Sequence, residues 1–516
     1  MGSSGALFYG DNLDVLRRHI DDESVDLVYL DPPFNSNATY NILFAEQDGS
    51  RSAAQIKAFE DTWRWDQSAA SALQEIVEDG GDVSQSMQAF RMILGESNML
   101  AYLAMMAPRL VELRRILKPS GSLYLHCDPT ASHYLKLLLD AVFGAAFFQN
   151  EIIWCYNVGG KSTKRWARKH DTLLFFSKQS DFHFDGKAAG VPRETGSKSF
   201  GGKIGVDEQG RRYQDKLVKA TGKYYRYYLD EPKIPEDWWA DINSLQSGSA
   251  ERSGYPTQKP EALLTRIIEA SCPADGVVLD PFCGCGTAIV AAERLNRRWI
   301  GIDVTYLATH LIKSRLVDAF GETVSFSVIG EPTTVEDAQK LGGEDRYQFE
   351  AWALGLVGAR NAAKKKGSDK GIDGRLIFHE KQGGITRQVL ISVKSGSTGV
   401  ADIRDLRGVI EREEAEMGLL ISMREPTAPM RAEAASAGFY RSGSEGVGTW
   451  GAHPRVQILT IRELLDGRRI DMPPLSGNLT FRKGRPLERR RHTIEPLFRN
   501  LAEAPEFSRL FESSPA

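Results

Sequence analysis

Ser24-Val25-Asp26-Leu27-Val28-Tyr29-Leu30-Asp31-Pro32-Pro33-Phe34 is the stretch whose reading decides the fold. Its first seven residues are rich in β-branched and aromatic side chains, which predicts a buried strand. The strand closes at Asp31 in a loop stiffened by two prolines. A strand that ends in an acid-bearing loop is where α/β proteins place their sites.

Further strands and helices are expected on either side of it. Residues 51–118 read as helix-rich and lead through Lys118-Pro119-Ser120-Gly121 into the strand-like 122–127, with a helix over 131–143. More strands are expected at 151–155 and 172–177. Residues 178–250 turn irregular and rich in Gly, Lys, Arg and Tyr, as an inserted recognition region would be. A helix over 261–271, a strand 276–280, a helix 287–295 and a strand 299–303 then form a βαβ unit. A helix at 305–318 and a strand near 323–328 close the first domain.

In Asp280-Pro281-Phe282-Cys283-Gly284-Cys285-Gly286-Thr287 two glycines follow a strand and open a helix, so the backbone can approach a cofactor that side chains would exclude. Such a loop alone makes only a tight turn. Here Asp303 ends the next strand 19 residues after Gly284, close to the spacing of about 20 at which an acid meets ribose hydroxyls. The loop lacks the third glycine of the nicotinamide fingerprint.

Asp31-Pro32-Pro33-Phe34 resembles motif IV of the amino methyltransferases that modify adenine N6 or cytosine N4. An exocyclic amine is a poor nucleophile because its lone pair is delocalised into the ring. Its site should therefore accept hydrogen bonds from the N–H groups: Asp31 offers a carboxylate, the Pro32 carbonyl a second acceptor, Pro33 further stiffness and Phe34 a stacking face. Such a base must be flipped from the duplex.

Phe8-Tyr9-Gly10-Asp11-Asn12, Asp31 to Asn41, Tyr255-Pro256-Thr257-Gln258-Lys259-Pro260 and Asp280 to Thr287 stand in the order of the β-class DNA methyltransferases, a permuted arrangement that includes type III modification subunits. The resemblance covers about residues 6–320. It implies S-adenosylmethionine as cofactor, bound by Asp280, Phe282, Gly284, Gly286, Thr287 and Asp303, with Lys259 as partner of the methionine carboxylate. It also implies double-stranded DNA as substrate and a homodimer. Asp31, where cytosine enzymes more often start with Ser, leans toward adenine.

Gly371-Ile372-Asp373-Gly374 precedes Arg375-Leu376-Ile377-Phe378-His379, and Gln382-Gly383-Gly384 turns the chain into Gln388-Val389-Leu390-Ile391-Ser392-Val393-Lys394. This is a β-hairpin signature that brings Asp373 and Lys394 to the same end. It resembles the PD-(D/E)xK core of Mrr-type restriction endonucleases, which implies Mg²⁺ on Asp373 and Glu350 and a water-activating Lys394. Ser392 departs from the pattern, standing where that family places Glu or Gln.

The expected architecture is α/β throughout. A permuted Rossmann-like methyltransferase domain occupies 1–330, with its recognition region within about 178–254. A linker at 331–343 leads to a smaller α/β restriction-endonuclease-like domain at 344–470, and a basic tail runs over 471–516. The function expected is a single-chain restriction–modification enzyme; the alternative is an orphan DNA methyltransferase whose C-terminal domain only binds DNA.

Composition agrees with these classes. A hydrophobic fraction of 41% and a charged fraction of 26% are those of a globular chain, and no apolar run suits a bilayer. The start reads as cytoplasmic and prokaryotic, with nucleoid association following from the DNA reading. Five cysteines without a CxxC pair argue against a disulfide framework or zinc site. A net charge of −3 leaves DNA contact to local patches: Lys161 to His170, Lys223 to Tyr228, and Arg482 to Arg491.

Overall fold

A computed structural model describes residues 5–33, 38–45, 51–61, 65–157, 163–192, 204–219, 221–246, 249, 251–253, 255, 257–321, 324–361, 372–379, 386–441 and 451–473; of 38–45, 51–61, 68, 360, 361, 379 and 386 the backbone alone is described. Among the described residues no helix is long and apolar enough to cross a membrane.

The Val25–Leu30 strand lies near the middle of a nine-stranded sheet. All six of its residues are buried, and they alternate between two apolar clusters on opposite faces: Val28 and Leu30 on one, Leu27 and Tyr29 on the other. A strand covered on both faces reads as a continuous apolar run. Asp26 is the exception. Its carboxylate meets Lys118 at 2.7 Å and accepts the Val277 N–H at 2.9 Å, so the buried charge is paired while it ties a neighbouring strand in place.

Across the sheet the strands run Trp238–Trp239, Phe148–Cys155, His170–Ser177, Leu117–Cys127, Val25–Leu30, Val277–Asp280, Arg298–Asp303, Gly5–Tyr9 and Phe326–Ile329. His170–Ser177 is antiparallel to both of its neighbours, and the other pairings are parallel. From Val25–Leu30 the chain builds outward through Leu117–Cys127. From Val277–Asp280 it builds the other way through Arg298–Asp303. The adjacent pair Val25–Leu30 and Val277–Asp280 is thus a topological switch point, where the loops at the carboxyl ends part and open a crevice.

Three expectations give way. Arg51–Asp61 is a strand paired with Ala38–Ala45, not the start of a helix-rich stretch, because cross-strand pairing overrides the helix propensity of its alanines. The recognition region carries a small antiparallel sheet of Ile204–Val206, Arg212–Val218 and Lys223–Tyr228. The stretch read as a linker contains the helix Val335–Glu344, capped by Thr334.

The C-terminal sheet is ordered Arg360–Asn361, Gly374–His379, Thr386–Lys394, Met417–Ser422, Val456–Thr460. The expected hairpin is present, with Gly374 opposite Ile391 in antiparallel register. Its apolar cluster includes Phe349, Trp352, Phe378, Val389 and Leu419, and extends to Tyr306 of the first domain. The basic tail from 474 onward lies outside the described residues.

Candidate active site

A cavity of about 350 Å³ opens at the switch point. It is within the size range of small-molecule sites. Asp31, Pro32 and Pro33 form one wall, and Asp280, Phe282, Gly284, Thr287 and Asp303 form another. Phe34 and Gly371 lie outside the described residues.

The glycine loop is shaped by close approach. Gly284 has φ +48°, and a Cβ there would stand 3.3 Å from the Tyr255 ring; Gly286 has φ +75°, and a Cβ would stand 2.6 Å from Ile312. Neither position accommodates a side chain without strain. Asp303 holds the loop from below. Its carboxylate accepts the Gly284 N–H at 2.9 Å and, on the other oxygen, the Thr305 N–H at 2.9 Å and hydroxyl at 2.7 Å.

Burial raises the Asp303 carboxyl to about 6, although these donors favour its anion. Burial also pushes Asp280 well above the usual carboxylate range, with the charges of Asp31 and Asp303 acting in the same sense. Both acids therefore pay for their place in the cavity with ionisation, which a polar ligand reaching them would ease.

Lys259, expected as partner of the methionine carboxylate, lines the cavity. Its ammonium forms an ion pair with Asp31 Oδ2, the two side chains being 10% and 16% exposed. The lysine nearest the proline loop thus braces its acid. Tyr255, from the same segment, is buried against the glycine loop.

Sequence reasoning missed Arg109, in the helix Asn98–Ile116. It lines the cavity and donates to Asn12 Oδ1 at 2.5 Å, Asp11 Oδ2 at 2.6 Å and the Met105 carbonyl at 2.9 Å. Asn12 in turn donates to the Pro281 carbonyl at 2.7 Å, which joins the Gly10–Asn12 turn to the glycine loop. An arginine on a largely buried helix carries no local signal of this role.

It also missed a buried chain behind the proline loop. The Tyr29 hydroxyl lies 2.9 Å from His126 Nδ1, whose Nε2 lies 3.2 Å from Asp171, which also accepts the Tyr156 hydroxyl at 3.1 Å. Burial opposes ionisation of Asp171, but the hydrogen bond and charge of His126 outweigh it and hold the carboxyl below its ordinary value. These residues meet only because three non-consecutive strands are neighbours.

A family model described as DNA methylase matches residues 25–313, more than half of the sequence. The chain belongs to this DNA methylase family. Type II methyltransferase M.HpaI of Haemophilus parainfluenzae is 30% identical to this family member over 224 residues, 43% of the chain and 62% of that protein. The StyLTI Mod subunit, from a type III restriction–modification enzyme of Salmonella typhimurium, is 27% identical over 346 residues, 56% of the chain and 49% of the subunit. The methylase thus spans about half to three-fifths of the length of these curated relatives. The PvuII DNA methyltransferase (cytosine-N4-specific) structure is 16% identical with a TM-score of 0.35, covering 62% of this chain and 89% of that one.

Residues 347–466 match a second family model, described as NACHT-associated inactive restriction endonuclease 1, in place of the Mrr-type core that the sequence suggested. The local geometry departs from a metal site as well. Asp373 is buried, and its Oδ2 accepts the Val393 N–H at 2.7 Å and the Ser392 hydroxyl at 3.2 Å. Lys394 pairs with Asp402 at 3.8 Å, and Glu350 is buried on its helix. Among the described residues no three His, Cys, Asp or Glu side chains converge on a point that could hold a metal. Among the described residues the expected Mg²⁺ site on Asp373 and Glu350 therefore finds no third donor, and Ser392 stands where the Mrr-type resemblance would have Glu or Gln.

Proposed function

We propose that this methylase family member transfers a methyl group from S-adenosylmethionine to the exocyclic amine of a flipped DNA base, adenine N6, and that its C-terminal domain grips DNA without cutting it. The observation that carries the first part is that Asp31-Pro32-Pro33, Gly284, Cys285 and Asp303 line one cavity. The three segments follow neighbouring parallel strands of the sheet, at the carboxyl ends where open α/β sheets bind their ligands.

The cavity fits the cofactor. Asp303 lines the cavity at the end of its strand, which supports a role toward ribose hydroxyls, and the glycine loop admits a ligand where a side chain would not. Arg109 lines the same cavity and is joined through Asn12 to the glycine loop. S-adenosylmethionine, when bound, supplies an electrophilic methyl group. The protein's part is to present the amine: Asp31 Oδ1 and the Pro32 carbonyl accept its two N–H bonds, and Lys259, engaged on Oδ2, holds the carboxylate in that aim. Pinned acceptors act by orientation and by stabilising charge that develops on the nitrogen.

For DNA contact, the sheet of the recognition region is the surface that supports this reading. Tyr224 and Tyr225 are exposed on Lys223–Tyr228, while Arg226 stacks on Tyr213 at 3.6 Å and Arg211 on Tyr228 at 3.8 Å. Trp166 stands almost fully exposed between Arg165 and Arg168. Aromatics interleaved with cations suit bases and phosphates.

The adenine assignment rests on Asp31, and the non-cutting C-terminal domain on Ser392 and the inactive family it matches. The test is to incubate the protein with DNA and labelled S-adenosylmethionine, digest to nucleosides and identify the product. Label on N6-methyladenine supports the reading; label on N4-methylcytosine corrects the base; no label removes it. Mg²⁺-dependent cleavage of unmethylated DNA would restore the restriction–modification reading.

A further inference from the structure

The corner of the cavity at Asp303 and Thr305 adjoins the C-terminal domain through the next residue, Tyr306. Thr305, bonded to Asp303 through both its N–H and its hydroxyl, is the N-cap of the helix Tyr306–Phe320. The first N–H groups of a helix have no acceptor within it. That of Tyr306 is satisfied from the C-terminal domain, by Gln348 Oε1 at 3.3 Å. Gln348 is itself held in the first turn of the helix Arg346–Leu356 by its N–H to Asp345 at 3.0 Å.

Two more contacts close the junction. The Tyr9 ring stacks on Tyr306 with centroids 3.6 Å apart, and the next residue, Gly10, lines the cavity and donates its N–H to the Asp303 carbonyl at 3.0 Å. Further along, Gly355 lets the two helices approach, for a Cβ there would stand 3.3 Å from His310 Nδ1. Tyr306 is buried in the same apolar cluster as Phe349, Trp352 and Leu354.

We propose that the C-terminal domain is a working part of the cofactor site: Gln348 is a positioning residue that fixes the Asp303–Thr305 corner through Tyr306, so cofactor affinity depends on the docked domain. Coupling of this kind is reciprocal, so cofactor binding tightens the docking of the Arg346–Leu356 helix in turn. A domain that binds DNA on the same chain would then be held most firmly when the methyl donor is in place. The inference rests on the S-adenosylmethionine reading of the cavity.

The experiment is hydrogen exchange on the full chain with and without S-adenosylmethionine, paired with calorimetric titration of Gln348→Ala and Gln348→Glu. Protection should rise over 346–356 as well as over 284–287. Gln348→Ala should weaken cofactor binding about fivefold or more, the lower end of usual coupling, and raise KM for the cofactor with kcat little changed. Gln348→Glu keeps the acceptor for the Tyr306 N–H and should restore affinity. Cofactor binding that leaves exchange over 346–356 unchanged, or an alanine variant with wild-type affinity, overturns the proposal. Failure of the unaltered protein to bind S-adenosylmethionine overturns the reading beneath it as well.

Discussion

Two pairs of acid and lysine stand in this chain, and the structure treats them differently. Asp31 and Lys259 come from segments 228 residues apart and touch inside a cavity that the glycine loop and Asp303 also line. Asp373 and Lys394 belong to one hairpin, yet the acid is bonded to Ser392 and Val393 while the lysine turns to Asp402. The same two residue types line a cavity in one place and bond to their own neighbourhood in the other. What separates them is convergence: a reacting site needs several elements to aim groups at one open space, whereas a hairpin by itself only aligns neighbours.

The strongest way to break the comparison is Asp31→Ala. Methyl transfer to DNA should fall by about a hundredfold to a thousandfold or more, the scale on which oriented acceptors and donors act. Cofactor affinity should hold within a few fold, since Asp31 faces the amine; a folded variant that no longer binds cofactor would contradict the assignment.

Lys259→Met should leave the Asp31 carboxylate partly buried without its cation. Breaking such pairs costs about 3–5 kcal/mol, and the residual exposure of both side chains puts this one toward the lower end. Denaturant unfolding measures it, and an unchanged midpoint would show that the ion pair does not hold the loop.

At the other pair, Asp373→Ala removes the acceptor of a buried N–H and should cost about 1–3 kcal/mol of stability. Methylation should stay within about twofold of wild type, because Asp373 does not line the cavity and distant sites act independently. Neither protein should cut DNA with Mg²⁺. Cleavage by the unaltered chain that the substitution abolishes would make the hairpin a site after all.

A finer test is Asp303→Asn. Burial raises the folded-state carboxyl to about 6, against about 3.9 in an unfolded chain. The unfolded chain therefore releases this proton first. The carboxyl's contribution to stability is fully present below about pH 4 and is lost as pH rises through about 6. The variant's stability relative to wild type, measured without cofactor, should accordingly climb across that window. A flat difference would mean that the acid ionises alike in both states.

Much of the fold was legible along the chain because its signals are local. The apolar run before Asp31, the glycines before a helix and the apolar run from Gln388 to Lys394 announce themselves in a few residues each. The strand Arg51–Asp61 and the helix Val335–Glu344 did not, since an alanine-containing stretch pairs as a strand only where a partner lies beside it, and a helix after Pro332 looks like a linker until it is capped and packed.

The sequence by itself determined the chemistry on offer: an acid on a stiff proline loop, a glycine loop, a second acid at ribose spacing, and a serine where a nuclease core needs a carboxylate. Only the tertiary structure decided who meets whom. It gave Lys259 to Asp31, joined Tyr29, His126 and Asp171 across three strands, placed Arg109 at the cavity edge and set Gln348 of the second domain against Tyr306. The reason is that a residue type fixes what a group can donate or accept, whereas the distance that lets it do so is set by strand order and helix packing, to which segments hundreds of residues apart contribute together.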